Sequence, residues 1–440
     1  MTRLLIKNGI IVTLEEPNRI LTGHELLIED GLIKSILLRR SASNIRARVI
    51  DARGKVVMPG FINTHMHFYS SFARGLTRAA PSADFPQVLR NLWWRLDRRL
   101  RLDDCDCSAL VAGLEAIRHG TTTIIDHHAS PNAIKGSLGR IARAVKELGL
   151  RACLCYEVSD RDGGKIAQAG IEENLRFLRQ CQEQSDNQLK ALFGLHASFT
   201  LNERTLRQCA ERARQYQAGF HIHCAEDLSD QTITQRRFGK RVVQRLHDHG
   251  LLGPKSLCVH SVHLEDGEWD LLAETGTAVV HNPQSNMNNA VGTMDLLKAV
   301  RKGVLVGLGT DAMTGNMREE LRSALWAQRL LRRNPGAAFG EAVQLLVRNN
   351  QQIANRYFQK VGQLREGWMA DVICIDYDPP TPMNQANFYG HLVFGLSQAT
   401  IDTTIVGGKI LMKDKKLISL DEEQIAARAR KLSQALWKRF

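Results

Sequence analysis

The sequence predicts an α/β protein: a (β/α)8 barrel with a small, discontinuous β-sandwich built from both chain ends. Three observations predict it. Strand-like apolar runs alternate with amphipathic helical patterns eight times between Val56 and Asp311. The alternation occupies about 260 residues, close to the length typical of such a barrel. Short β-type runs separated by turn residues fill both ends of the chain. Polar residues able to bind a metal recur where seven of the eight runs stop.

Residues 1–57 read as the N-terminal part of the sandwich. Leu4–Ile6, Ile10–Leu14, His24–Glu29, Leu32–Leu38 and Val49–Ala52 are the β-type runs, and Asn8-Gly9, Asp30-Gly31 and Arg53-Gly54 supply turns. Residues 58–361 read as the barrel. Its runs are Val56–His67, Thr121–His128, Arg151–Val158, Lys190–Ser198, Gly219–Ala225, Ser256–His263, Thr277–Pro283 and Val304–Asp311. Between them lie helical patterns such as Leu138–Leu148, Ile171–Cys181, Glu203–Gln215 and Arg241–Asp248. An insertion, Ser70–Asp104, follows the first run. Its Trp93-Trp94 pair sits on a helical pattern, either as helix-packing core or as a cover for the barrel mouth. Met317–Leu331 and Ala337–Phe358 read as further helices. Residues 362–440 complete the sandwich through Asp371–Asp376, Thr403–Val406 and Lys409–Met412. A basic amphipathic helix of about 20 residues then ends the sequence.

Composition narrows the function classes. A hydrophobic fraction of 43% and a charged fraction of 24% are those of a soluble globular protein. No stretch reaches the ~18 apolar residues of a membrane span, and Met1–Gly9 is too short and polar for a signal peptide. The nine cysteines are odd in number and scattered, which predicts a reducing, cytoplasmic setting. The net charge of +13 raises nucleic acid as a partner. Yet the cations are spread over helical faces, and their densest clusters lack interleaved aromatics. We expect a small-molecule substrate, no nucleic acid, no membrane, and a homodimer.

The chemistry is written at the strand ends. His65 and His67, two residues apart, share one face of a strand. Later runs end in Asp126-His127-His128, His196, His221-x-His223-x-x-Glu226, His260-x-x-His263, His281-Asn282-Pro283 and Gly309-Thr310-Asp311. A row of imidazoles and carboxylates at one end of a barrel is costly unless they are paired or metal-bound. His127 and His128 cannot both face the interior, since strand residues alternate.

With these motifs the chain resembles the amidohydrolase superfamily, in the branch of cytosine deaminase, chlorohydrolases and guanine deaminase. The matching pieces are Met58–His67, His221–Glu226, Val259–His263, His281-Asn282-Pro283-x-Ser285-Asn286 and Gly309-Thr310-Asp311. Through Pro59–Leu76 and Phe85–Trp94 it is most similar to the SsnA-type aminohydrolases. The resemblance implies that His65, His67, His223 and Asp311 bind metal. It implies that Glu226 shuttles protons, that His260 polarises the water or the reacting carbon, and that His196 touches substrate. His223 is preferred to His221 for its spacing from Glu226. Arg74, Trp94 and His128 are further candidate substrate contacts; for Arg74 a solvated surface position is an equal alternative.

The physics of the donor set agrees. Three neutral imidazoles and a carboxylate suit one divalent ion, Zn2+ first and Fe2+ second, with a position left for water. The expected ion is single because Lys190, the only lysine of the fourth run, lies at its start, away from the mouth. The reaction expected is hydrolysis of a C–N bond: deamination of a heterocyclic or amidine-like carbon with release of ammonia. Cyclic amide hydrolysis and C–Cl hydrolysis are the alternatives.

Overall fold

The computed structural model describes residues 3–42, 45–184 and 186–440. Each expected run contains a parallel strand. In chain order these are Phe61–Met66, Thr121–His128, Arg151–Tyr156, Phe193–Ala197, Phe220–Cys224, Leu257–His260, Ala278–His281 and Val306–Leu308, the first to eighth parallel strands. They form two sheets in sequential order: the first three with the short strand Leu189–Ala191, and the fourth to the eighth. The strands are buried on both faces, as in Arg151–Tyr156 and Ala278–His281. That is why they read as continuous apolar runs and not as alternating ones.

Backbone bonds join the two sheets at both seams. Leu192 N donates to Leu154 O at 3.2 Å, and His196 N donates to Val158 O at 2.9 Å. On the other side Thr310 N and Asp311 N donate to His65 O at 2.9 and 3.0 Å, and His67 N donates to Asp311 O at 3.2 Å.

The run Val56–His67, expected as one strand, is two. Lys55–Pro59 pairs antiparallel with Val372–Asp376 and parallel with Ile10–Val12. Phe61–Met66 opens the parallel sheet. The break falls at Gly60, where an added Cβ would lie 2.2 Å from Cγ2 of Thr122. Only a residue without a side chain lets the backbone turn so close to the second strand.

The chain ends build the other two sheets. A seven-stranded sheet combines Ile10–Val12, Ile20–Leu21 and Lys55–Pro59 with four strands between Val372 and Leu417. A four-stranded sheet holds Arg3–Lys7, His24–Glu29, Leu32–Leu38 and Arg48–Asp51. Leu4, Ile6, Leu26 and Ile28 from the second share one apolar cluster with Ile11, Val57, Val372 and Ile405 from the first. Each such side chain contributes about 1.5–3 kcal/mol on burial. Arg151, at the start of the third parallel strand, meets Asp371 through two bonds of 3.2 Å and ties the parallel sheet to this region.

The insertion forms a wall over the strand ends. A 3-10 segment, Phe68–Ala73, leads to helical residues Phe85–Arg99 with a wide π-type turn at Leu89–Trp93. Asp84 starts the helix by accepting from Gln87 N at 2.8 Å. The final helix, Glu422–Arg439, clamps this wall. Trp437 Nε1 donates to Phe72 O at 2.8 Å, and Arg95 Nη2 donates to Phe440 O at 2.7 Å. Arg428 and Arg439 pair with Asp106 and Asp104 at 2.7 and 2.5 Å. The basic tail thus spends two of its cations inside the fold. Among the described residues no helix is long and apolar enough to cross a membrane. The nine cysteines are all free and buried.

Candidate metal centre and substrate cleft

The first, fifth, sixth and eighth parallel strands deliver their C-terminal side chains to one point. His67 Nε2 lies 3.1 Å from Asp311 Oδ1 and 3.2 Å from His223 Nε2. His65 Nε2 lies 3.5 Å from the same carboxylate oxygen. Donor atoms of His65, His223, His260 and Asp311 fall within 4.8 Å of one another.

The far sides of the rings set their tautomers. His67 Nδ1 bonds His127 O at 2.5 Å, and His223 Nδ1 bonds His196 O at 2.9 Å. A nitrogen that faces a carbonyl carries the proton, so each neutral ring turns an Nε2 lone pair inward. His65 Nδ1 contacts His221 Nε2 at 2.9 Å, which leaves its own Nε2 without a hydrogen-bond partner. Lone pairs meeting at 3.2 Å beside a carboxylate require positive charge between them. Burial lowers the proton affinity of His67, but Asp311 and Glu157 outweigh it and lift the ring to about 9. The same field attracts a divalent cation, and the donor set of three imidazoles and one carboxylate fits it.

Two carboxylates in this space are driven apart. Burial would raise Asp311, yet the adjacent His65 and His67 rings hold it well below the usual carboxylate range. Ser285 Oγ donates to its other oxygen. Glu226 goes the opposite way: burial and the charge of Asp311 push it well above the usual range. Its Oε2 lies 3.4 Å from His260 Nε2. Asn286 Nδ2 donates to His260 Nδ1 at 2.9 Å, so the neutral ring of His260 presents Nε2–H to the site. His260 is therefore placed as a donor toward Glu226 and Asp311. Backbone strain gathers here too. Ala225, His260, Ser261 and Asp311 hold φ of 47°, 71°, 53° and 54°, left-handed values uncommon outside glycine.

The centre opens into a cleft. Phe85, Leu89, Trp93 and Trp94 of the insertion form one wall, and Phe199 adds to it. Of the candidate substrate contacts, Trp94 and His196 line the cleft with ring centroids 6.1 Å apart.

Two expected contacts are corrected. Arg74 points to solvent, its side chain 62% exposed, and pairs with Glu115 at 2.9 Å. It follows the 3-10 segment, whose turn carries it away from the cleft. His128 is buried behind the cleft, bonded to Ser130 Oγ at 2.9 Å and packed against Tyr69 and Tyr156. Its neighbour His127 faces the histidine cluster instead, stacked on His221 at 4.3 Å. His263 bonds Val291 O at 2.8 Å and braces the loop after the sixth strand. Lys190 donates to Asp186 O at 2.7 Å, remote from the centre.

Sequence reasoning missed Asp97, Glu157 and Asp230, all of which line the cleft. For Glu157 a signal existed: it directly follows the third parallel strand, the one strand end from which no candidate had been drawn.

The profile described as "Amidohydrolase family" matches residues 56–411. The 5′-deoxyadenosine deaminase of Methanosarcina mazei is 33% identical over 440 residues, covering 99% of each chain. The 5-methylthioadenosine/S-adenosylhomocysteine deaminase of Pelotomaculum thermopropionicum is 31% identical over 446 residues, covering 100% of both. Among solved structures, an adenosine deaminase from Xanthomonas campestris with bound zinc matches with a TM-score of 0.88 at 22% identity, over 99% of both chains.

Proposed function

The chain belongs to the amidohydrolase family and is a hydrolase of C–N bonds; from that premise we propose that it deaminates the purine ring of an adenosine-like nucleoside. The observation that carries the reading is the split pair of carboxylates beside the imidazole cluster, under an aromatic wall. The ion is single and is Zn2+, held by His65, His67, His223 and Asp311. The zinc in the Xanthomonas relative supports this choice. We also read the two parallel sheets as one closed barrel, supported by the backbone bonds at both seams. The terminal sheets are read as a β-sandwich from residues 1–57 and 362–440, supported by their shared apolar cluster.

When bound, the ion supplies Lewis acidity that makes water nucleophilic near neutral pH. The protein's own groups do the rest. Ser285 donates to Asp311 Oδ2 and leaves that carboxylate turned to His65 and His67 through Oδ1. His260 Nε2–H stabilises negative charge growing on oxygen between Glu226 and Asp311. Protonated Glu226 gives its proton to the ring nitrogen next to the reacting carbon, and Asn289 Nδ2 steadies its Oε1 at 3.3 Å. Asp311 moves the two protons of the added water, one to the amino group, which leaves as ammonia, and one back to Glu226, and the ring carbon becomes a carbonyl. Trp93 and Trp94 stack on the base and exclude bulk water.

The test is ammonia release, with conversion of the adenine spectrum to the hypoxanthine spectrum. It is run on adenosine, 5′-deoxyadenosine and 5′-methylthioadenosine with the zinc-loaded protein. Turnover of at least one is expected. Failure on all three, with turnover of a cyclic ureide or a chlorinated ring instead, overturns the reading.

A further inference from the structure

The chain carries a net charge of +13, yet carboxyl groups dominate its cleft. Asp97, Glu157, Glu226, Asp230 and Asp311 line it beside His67, and among the described residues no lysine or arginine does. Glu226 and Asp311 belong to the reaction. Asp230 is occupied by Ala225 N at 2.7 Å and Thr234 Oγ1 at 3.4 Å. Asp97 and Glu157 remain.

Glu157 is 5% exposed, and its Oε1 has no hydrogen-bond partner. Its titratable neighbours are His67 Nδ1 at 3.4 Å, His127 Nδ1 at 3.6 Å and His196 Nε2 at 3.9 Å. Asp97 is 2% exposed; Oδ2 takes a bond from Arg161 and Oδ1 has none. Arg161 donates to Asp97 and lies 3.1 Å from Asp162, and its Nε and Nη1 have no hydrogen-bond partner. It sits against the Trp94 ring at 5.4 Å and does not line the cleft.

We infer that this end of the cleft admits a cationic group on the substrate and rejects an anionic one, with Glu157 as the discriminating residue. The inference rests on the deaminase reading above for the kind of molecule that carries the group. A buried carboxylate oxygen without a partner gains a bond from an ammonium or other charged donor. A phosphate or carboxylate placed there brings its oxygens against the unpartnered oxygens of Glu157 and Asp97, an unfavourable meeting of acceptors in a medium that screens poorly. The basic exterior does not offset this, because its charges lie across solvent and are screened within about 8 Å at physiological salt.

The zinc-loaded enzyme is assayed with 5′-amino-5′-deoxyadenosine, 5′-deoxyadenosine and adenosine 5′-monophosphate. The ammonium compound is expected to exceed the neutral one in kcat/KM by about tenfold, and the monophosphate by about 100-fold or more, the scale of charged hydrogen bonds. Glu157→Gln should compress the ammonium-to-phosphate ratio by about tenfold. A second measurement uses the unmodified protein. Quenching of the cleft tryptophans by benzylammonium is compared with quenching by benzoate. Tighter benzylammonium binding supports the inference. Benzoate binding equally well, neither ion binding, or the monophosphate reacting fastest overturns it. If no nucleoside reacts, the deaminase reading fails alone, and the two aromatic ions still decide the charge preference.

Discussion

At the C-terminal ends of the parallel strands, His65, His127, His260 and His281 are buried with ring nitrogens that have no hydrogen-bond partner. At the opposite end of the same strands, Arg151 and Asp371 are equally buried, and they meet through two 3.2 Å bonds. Asp371 Oδ1 also accepts from Gly407 N at 2.7 Å. The strained left-handed residues Ala225, His260, Ser261 and Asp311 all belong to the first end. One end of the sheet is polar, strained and unsatisfied, and the other is polar and satisfied. Unpaired groups are costly where nothing binds them, so the first end marks where binding and chemistry occur and the second where the fold is held.

Substitutions should separate the two ends. The largest effect is expected from His65→Ala. The variant should purify without stoichiometric zinc, measured by elemental analysis, and show only background turnover. Retention of full metal content removes His65 from the ligand set. Next is Glu226→Gln, which should keep the ion and lower kcat about 10²–10⁴-fold, the usual size of a general acid. Undiminished kcat in a metal-replete sample would falsify the assignment. Third, and at the other end, Arg151→Met leaves Asp371 buried without its partner and should cost about 3–5 kcal/mol of stability. Denaturant titration measures that loss, while kcat of the folded enzyme should stay unchanged. A fall in kcat without a stability loss would merge the two regions.

The smallest effect expected is a pH dependence at the cleft. Burial pushes Asp230 up from 3.8 to about 7. A carboxyl raised on folding contributes stability that is fully present below 3.8 and lost as pH rises through about 7. Asp230→Asn removes that term. Relative to the variant, the parent protein should lose at most about 1.4 kcal/mol per pH unit between pH 4 and 7. Parallel stability curves across that window would show that Asp230 does not titrate there.

The metal pocket was the most legible part of the sequence. His65 and His67 share a face through the strand period, and His223 and Asp311 end later strands at matching positions. The structure brings all four together. What escaped the sequence depends on distant contacts. The break at Gly60 is set by Thr122 in another strand. Which of His127 and His128 faces the cluster is settled by their ring contacts, His127 on His221 and His128 on Tyr69 and Tyr156. Arg74 is captured by Glu115, 41 residues away. Glu157 hid inside the run Arg151–Val158, where it reads as an interruption of an apolar strand.

The clamp between the final helix and the cleft wall has a consequence for synthesis. Every metal-pocket residue lies before residue 312, but the bonds from Trp437 to Phe72 and from Arg95 to Phe440 need the last turn of helix. On the ribosome the pocket's side chains therefore emerge well before the helix that steadies their roof. A nascent chain can collect its ligands while the wall carrying Trp93 and Trp94 still lacks its brace.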